Sequence, residues 1–318
     1  MSALPHLFAL TAPLFLLVLV GYGLIRWGRW EQAIADALTR FVFAVAVPTL
    51  LFRLMSGFPR LPPVDYRLVL AYFGGSLLVF FLARVAAYRL FRMDGASQSV
   101  FGIGGIFSNN LLLGVPLSKT LLGDASLPVV SLVLVFNALL LWTLVTVSVE
   151  WARHRSASVG ALAKTTRSVL ANPIVASIVA GTAWGYAGVP LPDMVDRTLE
   201  LIGQAAVPLS LIALGMGLAE FGMRQGLVKS AAISAFKLAV HPAIVLLAAR
   251  LLGLPPLETQ AVVLLAALPV GANVYLMSRQ FETLGGPVAG SLVLSTVVAA
   301  VTAPVALAAA VLVTTSGP

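Results

Sequence analysis

Two uncharged stretches, each long enough to cross a bilayer, carry Asn, Gly and Pro in their middles. One runs from Gly95 to Ser118, between Asp94 and Lys119, and contains Ser108-Asn109-Asn110 followed by Gly114-Val115-Pro116-Leu117. The other runs from Thr259 to Ser278, between Glu258 and Arg279, and contains Ala267-Leu268-Pro269-Val270-Gly271-Ala272-Asn273. An apolar helix interrupted at mid-depth leaves backbone N–H and C=O groups that hydrocarbon cannot solvate. Such a break survives only where it is buried in protein or faces a polar cavity. Interrupted segments in both halves of a chain point to the binding site of a transporter.

The remaining sequence fits the same frame. With 59% hydrophobic and 10% charged residues and a mean hydropathy of +1.00, the chain is too apolar for a soluble domain and reads as an integral membrane protein. Spans of about 20 residues place ten helices at about 5–26, 36–57, 66–90, 97–120, 125–149, 167–188, 196–218, 227–252, 257–280 and 286–314. The opening residues lack a basic segment and run uncharged to Ile25, which predicts a retained span and not a cleaved signal. No cysteine is present, so disulfides and thiolate metal sites do not arise. The net charge of +8 reflects Lys and Arg gathered in alternate loops, not a nucleic-acid surface. Their bias predicts a cytoplasmic-membrane protein with both termini outside the cytoplasm.

An internal repeat emerges when residues 21–57 are laid on 181–217. Gly21/Gly181, Gly28/Gly188, Asp36/Asp196, Pro48/Pro208 and Gly57/Gly217 coincide, as do several apolar positions. The expected units are residues 1–150 and 167–318, joined by a cytoplasmic connection at 151–166. Five spans in each half is an odd number, so the halves lie upside down relative to one another. The predicted fold is all-α, with ten transmembrane helices in two inverted five-helix repeats and broken helices 4 and 9.

Ordered motifs along essentially the whole chain resemble the auxin efflux carrier family, whose bacterial branch includes malate and malonate permease-like members. They are Leu19-Val20-Gly21-Tyr22-Gly23, Phe43 through Phe52 around Val47-Pro48, Ser108-Asn109-Asn110 through Leu117, Asn172-Pro173, Ala206-Val207-Pro208-Leu209 and Ala267-Leu268-Pro269. The resemblance implies a scaffold of spans 1, 2, 6 and 7, often the dimer contact, and a moving unit of spans 3–5 and 8–10. It implies that helices 4 and 9 cross at Pro116 and Pro269, with Asn109 holding a substrate carboxylate and Asn172 in support. Plant exporters of the family carry an Asp and a Lys in the third span and a long hydrophilic loop between the halves. Here the third span reads Ala71-Tyr72-Phe73-Gly74-Gly75-Ser76 and the loop is short.

The candidate site residues follow from these two lines. Asn109, Asn110 and Asn273 are neutral amide donors beside the breaks, suited to holding and releasing an anion that half-helix N-termini attract; the alternative is that they tie helices together. Gly114, Pro116, Pro269 and Gly271 are read as the breaks, against ordinary kinks in continuous helices. Lys237 lies inside the eighth span. It attracts the anion, serves as a fixed cation in place of a coupling ion, snorkels to the interface, or pairs with a backbone carbonyl. His241, four residues on and on the same face, is either a proton relay or a hydrogen-bonded structural histidine. Asn137 and Glu200 are weaker candidates. Gly102-Ile103-Gly104-Gly105 fits close helix packing better than phosphate binding.

No nucleotide-binding, metal-ligand or catalytic pattern appears, so no cofactor, metal or enzymatic activity is expected. The sequence reads as a secondary carrier moving a small organic anion, a carboxylate, by alternating access. A sodium-coupled bile-acid-type symporter has a similar architecture, but its ion sites want carboxylates that the two central stretches lack. A membrane receptor or intramembrane enzyme would need a sensor domain or a catalytic cluster.

Overall fold

The computed structural model describes residues 3–57, 65–154, 173–219 and 226–315, and there the regular elements are all helices, with one isolated β-bridge between connecting stretches. The first part comprises α1 (Ala3–Arg26), α2 (Gln32–Phe41), α3 (Val47–Ser56), α4 (Arg67–Phe91), α5 (Gly95–Gly104), α6 (Val115–Leu122), α7 (Leu127–Phe136) and α8 (Trp142–His154). After the connection come α9 (Pro173–Ala187), α10 (Asp193–Leu218), α11 (Leu227–Leu251), α12 (Pro256–Ala266), α13 (Ala272–Gln280) and α14 (Gly285–Thr315). Stretch Gln32–Arg53 and helices α4, α10, α11 and α14 are each long and apolar enough to cross a membrane. Helix α8 runs on to His154, so the first residues of the expected 151–166 connection are helical; the rest of it, and Asn172, lie outside the described residues.

Single π turns punctuate these helices. Val42–Ala46 leads into Val47-Pro48, Asn110–Gly114 into Val115-Pro116, and Phe236–Val240 into His241-Pro242. Proline has no N–H and its ring crowds the carbonyl four residues back. The helix responds by widening one turn, with Val47 N donating to Val42 O, Val115 N to Asn110 O and His241 N to Phe236 O. Such bulges turn side chains off the regular helical stripe and cluster at functional sites. Two of these three carry candidate residues, Asn110 and Lys237.

Helices α1 and α10 pack together, as do α3 and α9, and α3 also packs on α10. Glycine permits this approach. A Cβ at Gly21 would stand 2.1 Å from Ile212 O, one at Gly181 2.5 Å from Phe52 O, and one at Gly215 1.9 Å from Val18 O. The remaining helices form a second set around α12, which contacts α7, α11 and α14. Every residue from Ala261 to Leu268 is at most 1% exposed. Gly102, Gly104 and Gly105 lie against Phe80, Ile233 and Phe236, so the glycine-rich run serves close packing of α5 on α4 and α11.

Candidate substrate site at the helix crossing

Helix α5 starts on the Asp94 carboxylate, which accepts from Ala96 N at 2.9 Å and Ser97 N at 3.0 Å, and ends at Gly104-Gly105. The chain then unwinds through Ser108-Asn109 and re-forms as the π turn before α6. Helix α12 likewise ends at Ala266, unwinds through Pro269-Val270 and restarts as α13. The two unwound stretches meet. Asn109 N donates to Pro269 O at 2.9 Å and Gly271 N to Phe107 O at 2.8 Å, making an antiparallel bridge between Ser108 and Val270. Val270 N, otherwise an orphan, donates to Ser295 Oγ of α14 at 3.0 Å.

Two sequence expectations need correction here. Pro116 and Gly114 are not the break, and the crossing does not lie at Pro116. Pro116 lies in a helix that runs on from the π turn Asn110–Gly114, whose widening accommodates a residue without an N–H. Gly114 is a packing glycine: a Cβ there would stand 2.9 Å from Leu265 Cδ2 and 3.0 Å from Leu268 Cδ1. The first break is built instead by Ser108 and Asn109. Pro269 and Gly271 do lie in the second unwound stretch, and a Cβ at Gly271 would meet Ser108 O at 2.9 Å.

Around the crossing the structure assembles a buried polar set. Asn109 Oδ1 caps the π turn, accepting from Leu112 N at 3.4 Å, while its Nδ2 is buried without a partner. Asn110 Nδ2 donates to Tyr72 OH at 3.2 Å, and Tyr72 OH reaches Ser108 Oγ at 3.5 Å. Asn110 Oδ1 and Asn137 Oδ1 are also buried and unpartnered. The Tyr72 and His241 rings pack edge to face at 5.6 Å. His241 Nε2 bonds Ser76 Oγ at 2.9 Å, its Nδ1 lies 3.2 Å from Lys237 Nζ, and Nζ donates to Ala266 O at the end of α12. Lys237 is fully buried, so it does not snorkel. Asn273 sits half-buried in the first turn of α13. Glu200 lies elsewhere, 3.6 Å from Arg53.

Tyr72, Ser76, Ser108 and Ser295 escaped sequence reasoning. Each is a hydroxyl in an apolar span, and only Ser108, adjoining Asn109-Asn110, carried a local signal. A separate cavity of about 440 Å³ lies between Arg53, Trp184, Asp124, Asp193 and Asp196. Its Arg53 is already held by Asp196 at 2.7 Å, and three carboxylates line it, which suits no anion.

A model of the membrane transport protein family matches residues 6–307. The chain belongs to this family, which includes the auxin efflux carriers. Members similar to it include a Rhizobium meliloti protein named "Putative malonate transporter", 28% identical over 86% of each chain. An uncharacterised transporter of Methanocaldococcus jannaschii is 22% identical over 84% of this chain and 87% of its own. A rice protein named "Probable auxin efflux carrier component 5a" is 27% identical over 48% of this chain and 42% of its own. Family membership and the several apolar helices make this a multi-pass membrane protein.

Proposed function

We propose that the chain is a secondary carrier that moves a small dicarboxylate-like anion through the helix crossing by alternating access. The observation that carries this reading is the unpartnered Asn109 Nδ2, a buried donor held at the point where two half-helices begin. A buried amide donor left unpaired costs free energy. A carboxylate there would take that bond and sit near the positive ends of the half-helices leading to α6 and α13. The name of the Rhizobium meliloti relative agrees with a dicarboxylate.

The ten-span inverted architecture belongs to this proposal. Partner exchange within the repeat supports it. In the repeat, Gly21 corresponds to Gly181 and Phe52 to Ile212; the contact of Gly21 with Ile212 becomes, with partners exchanged, that of Gly181 with Phe52. Helices α1, α2, α3, α9 and α10 form the scaffold, through which two copies pair, and the others the moving unit. Both termini lie outside the cytoplasm. Export of an anion from a negative cytoplasm is favoured by roughly 2.3 kcal/mol per charge per 100 mV, so the membrane potential suffices as driving force.

A thermal-shift series tests the substrate class, because a ligand that binds only the folded state raises its stability. Malonate and malate are expected to raise the melting temperature saturably, and indole acetate much less. No shift with any carboxylate refutes the reading.

A further inference from the structure

The last carbonyls of a helix have no donors within it. At the end of α12 most find backbone partners: Ala267 N donates to Val263 O and Leu264 O, and Leu268 N to Leu265 O. Ala266 O is different. Its donor is the side chain of Lys237, from the π turn of α11. No ion pair among the described residues includes Lys237, and the groups that face it are neutral: the Ala266 carbonyl, His241 Nδ1 and, beyond the imidazole, Ser76 Oγ. The end of a half-helix inside a membrane carries exposed carbonyls and the negative pole of the helix dipole, and transporters use it to coordinate a coupling cation.

We propose that Lys237 is held protonated at this cation position, so that the carrier assembles its crossing and binds its anion without sodium. A lysine suits the task because its compact head carries three donors and a charge on a flexible stem. One donor holds the α12 terminus and another reaches His241, which is fixed through Ser76 to the Tyr72 carbonyl. The charge belongs to the helices around the crossing. On the carrier reading above, on which this second step rests, it travels with the anion and offsets one of its charges.

The test needs no substrate. The melting temperature of the purified full chain is measured in sodium, potassium, lithium and choline chloride at equal ionic strength. Equal values for the wild type are expected, and a saturable rise with sodium overturns the proposal. Lys237→Ala is expected to melt lower by several degrees and to recover in millimolar sodium or ethylammonium. Lys237→Met, which fills the space without a donor, melts lower in every salt. Failure of every small cation to restore Lys237→Ala, or a Lys237→Met protein that melts as the wild type does, overturns it. Should neither variant fold, the wild-type salt series decides alone. A missing malonate shift in the wild type counts against the dicarboxylate reading and leaves the salt comparison intact.

Discussion

Substitution of Asn109 separates building the crossing from binding at it. The residue does three things with three groups: its N–H donates to Pro269 O, its Oδ1 caps Leu112 N, and its Nδ2 faces no protein partner. Asn109→Ser leaves the first untouched and keeps an oxygen suited to capping, since Ser ranks with Asn as an N-cap. It withdraws the amide. A hydrogen bond to a charged partner contributes about 1.5–3 kcal/mol, and each 1.4 kcal/mol is tenfold in affinity. Malonate affinity should therefore fall roughly 10- to 150-fold, with little change in the melting temperature of the empty protein. Asn109→Ala removes the cap as well and should lose a further ~0.5–2 kcal/mol of stability. Calorimetric titration in detergent reads the affinity, and uptake into proteoliposomes reads its consequence. Unchanged affinity in Asn109→Ser refutes the role given to Nδ2. A loss confined to Asn109→Ala assigns the residue to capping alone.

Gly271→Ala places a Cβ 2.9 Å from Ser108 O and 3.2 Å from Ser108 C, backbone that yields only if the bridge opens. A destabilisation of about 1–3 kcal/mol and slower uptake are expected relative to Gly217→Ala, where nothing lies within 4 Å; equal effects refute the steric argument. Gly215→Ala, with its Cβ 1.9 Å from Val18 O, should pry α1 from α10 and lower the melting temperature well below that of Gly217→Ala. At the start of α5, the Ser97 hydroxyl, then the N–H groups of Ser97 and Ala96, hold the Asp94 carboxyl below its ordinary 3.8. Its folded pKa lies under the unfolded one, so its stabilisation is complete above the ordinary value and disappears as pH falls through the folded one. Asp94→Asn keeps an acceptor without a titrating group; between about pH 5 and pH 3 the wild type should lose stability more steeply than this variant, and parallel melting curves refute the assignment.

The sequence reveals the break at Pro269 because a residue without an N–H, followed by glycine in an uncharged run, has few helical readings. The same rule misleads at Pro116. There the π turn of Asn110–Gly114 absorbs the missing donor, and the helix passes through. Helical spacing alone puts Lys237 and His241 on one face, and the structure adds what they touch. Tyr72 and Ser76 were illegible for a different reason: a hydroxyl in an apolar helix normally bonds its own backbone, as Ser76 Oγ does with Tyr72 O. Their part in the polar set arises only because α4 packs on α11 and carries Ser76 to His241 and Tyr72 toward Asn110.

The crossing also explains why two breaks, and not one, are needed. An unwound stretch exposes both an N–H and a C=O that the membrane cannot satisfy. Here the first stretch gives the Asn109 N–H and takes at Phe107 O, and the second gives the Gly271 N–H and takes at Pro269 O. Each break supplies what the other lacks, so neither segment is stable unwound alone. The two must persist or disappear together. This mutual dependence leaves side-chain amides as the groups still free to change partners, and among those at the crossing Asn109 Nδ2 is the buried donor with none. An anion that binds there completes a network the backbone has already closed.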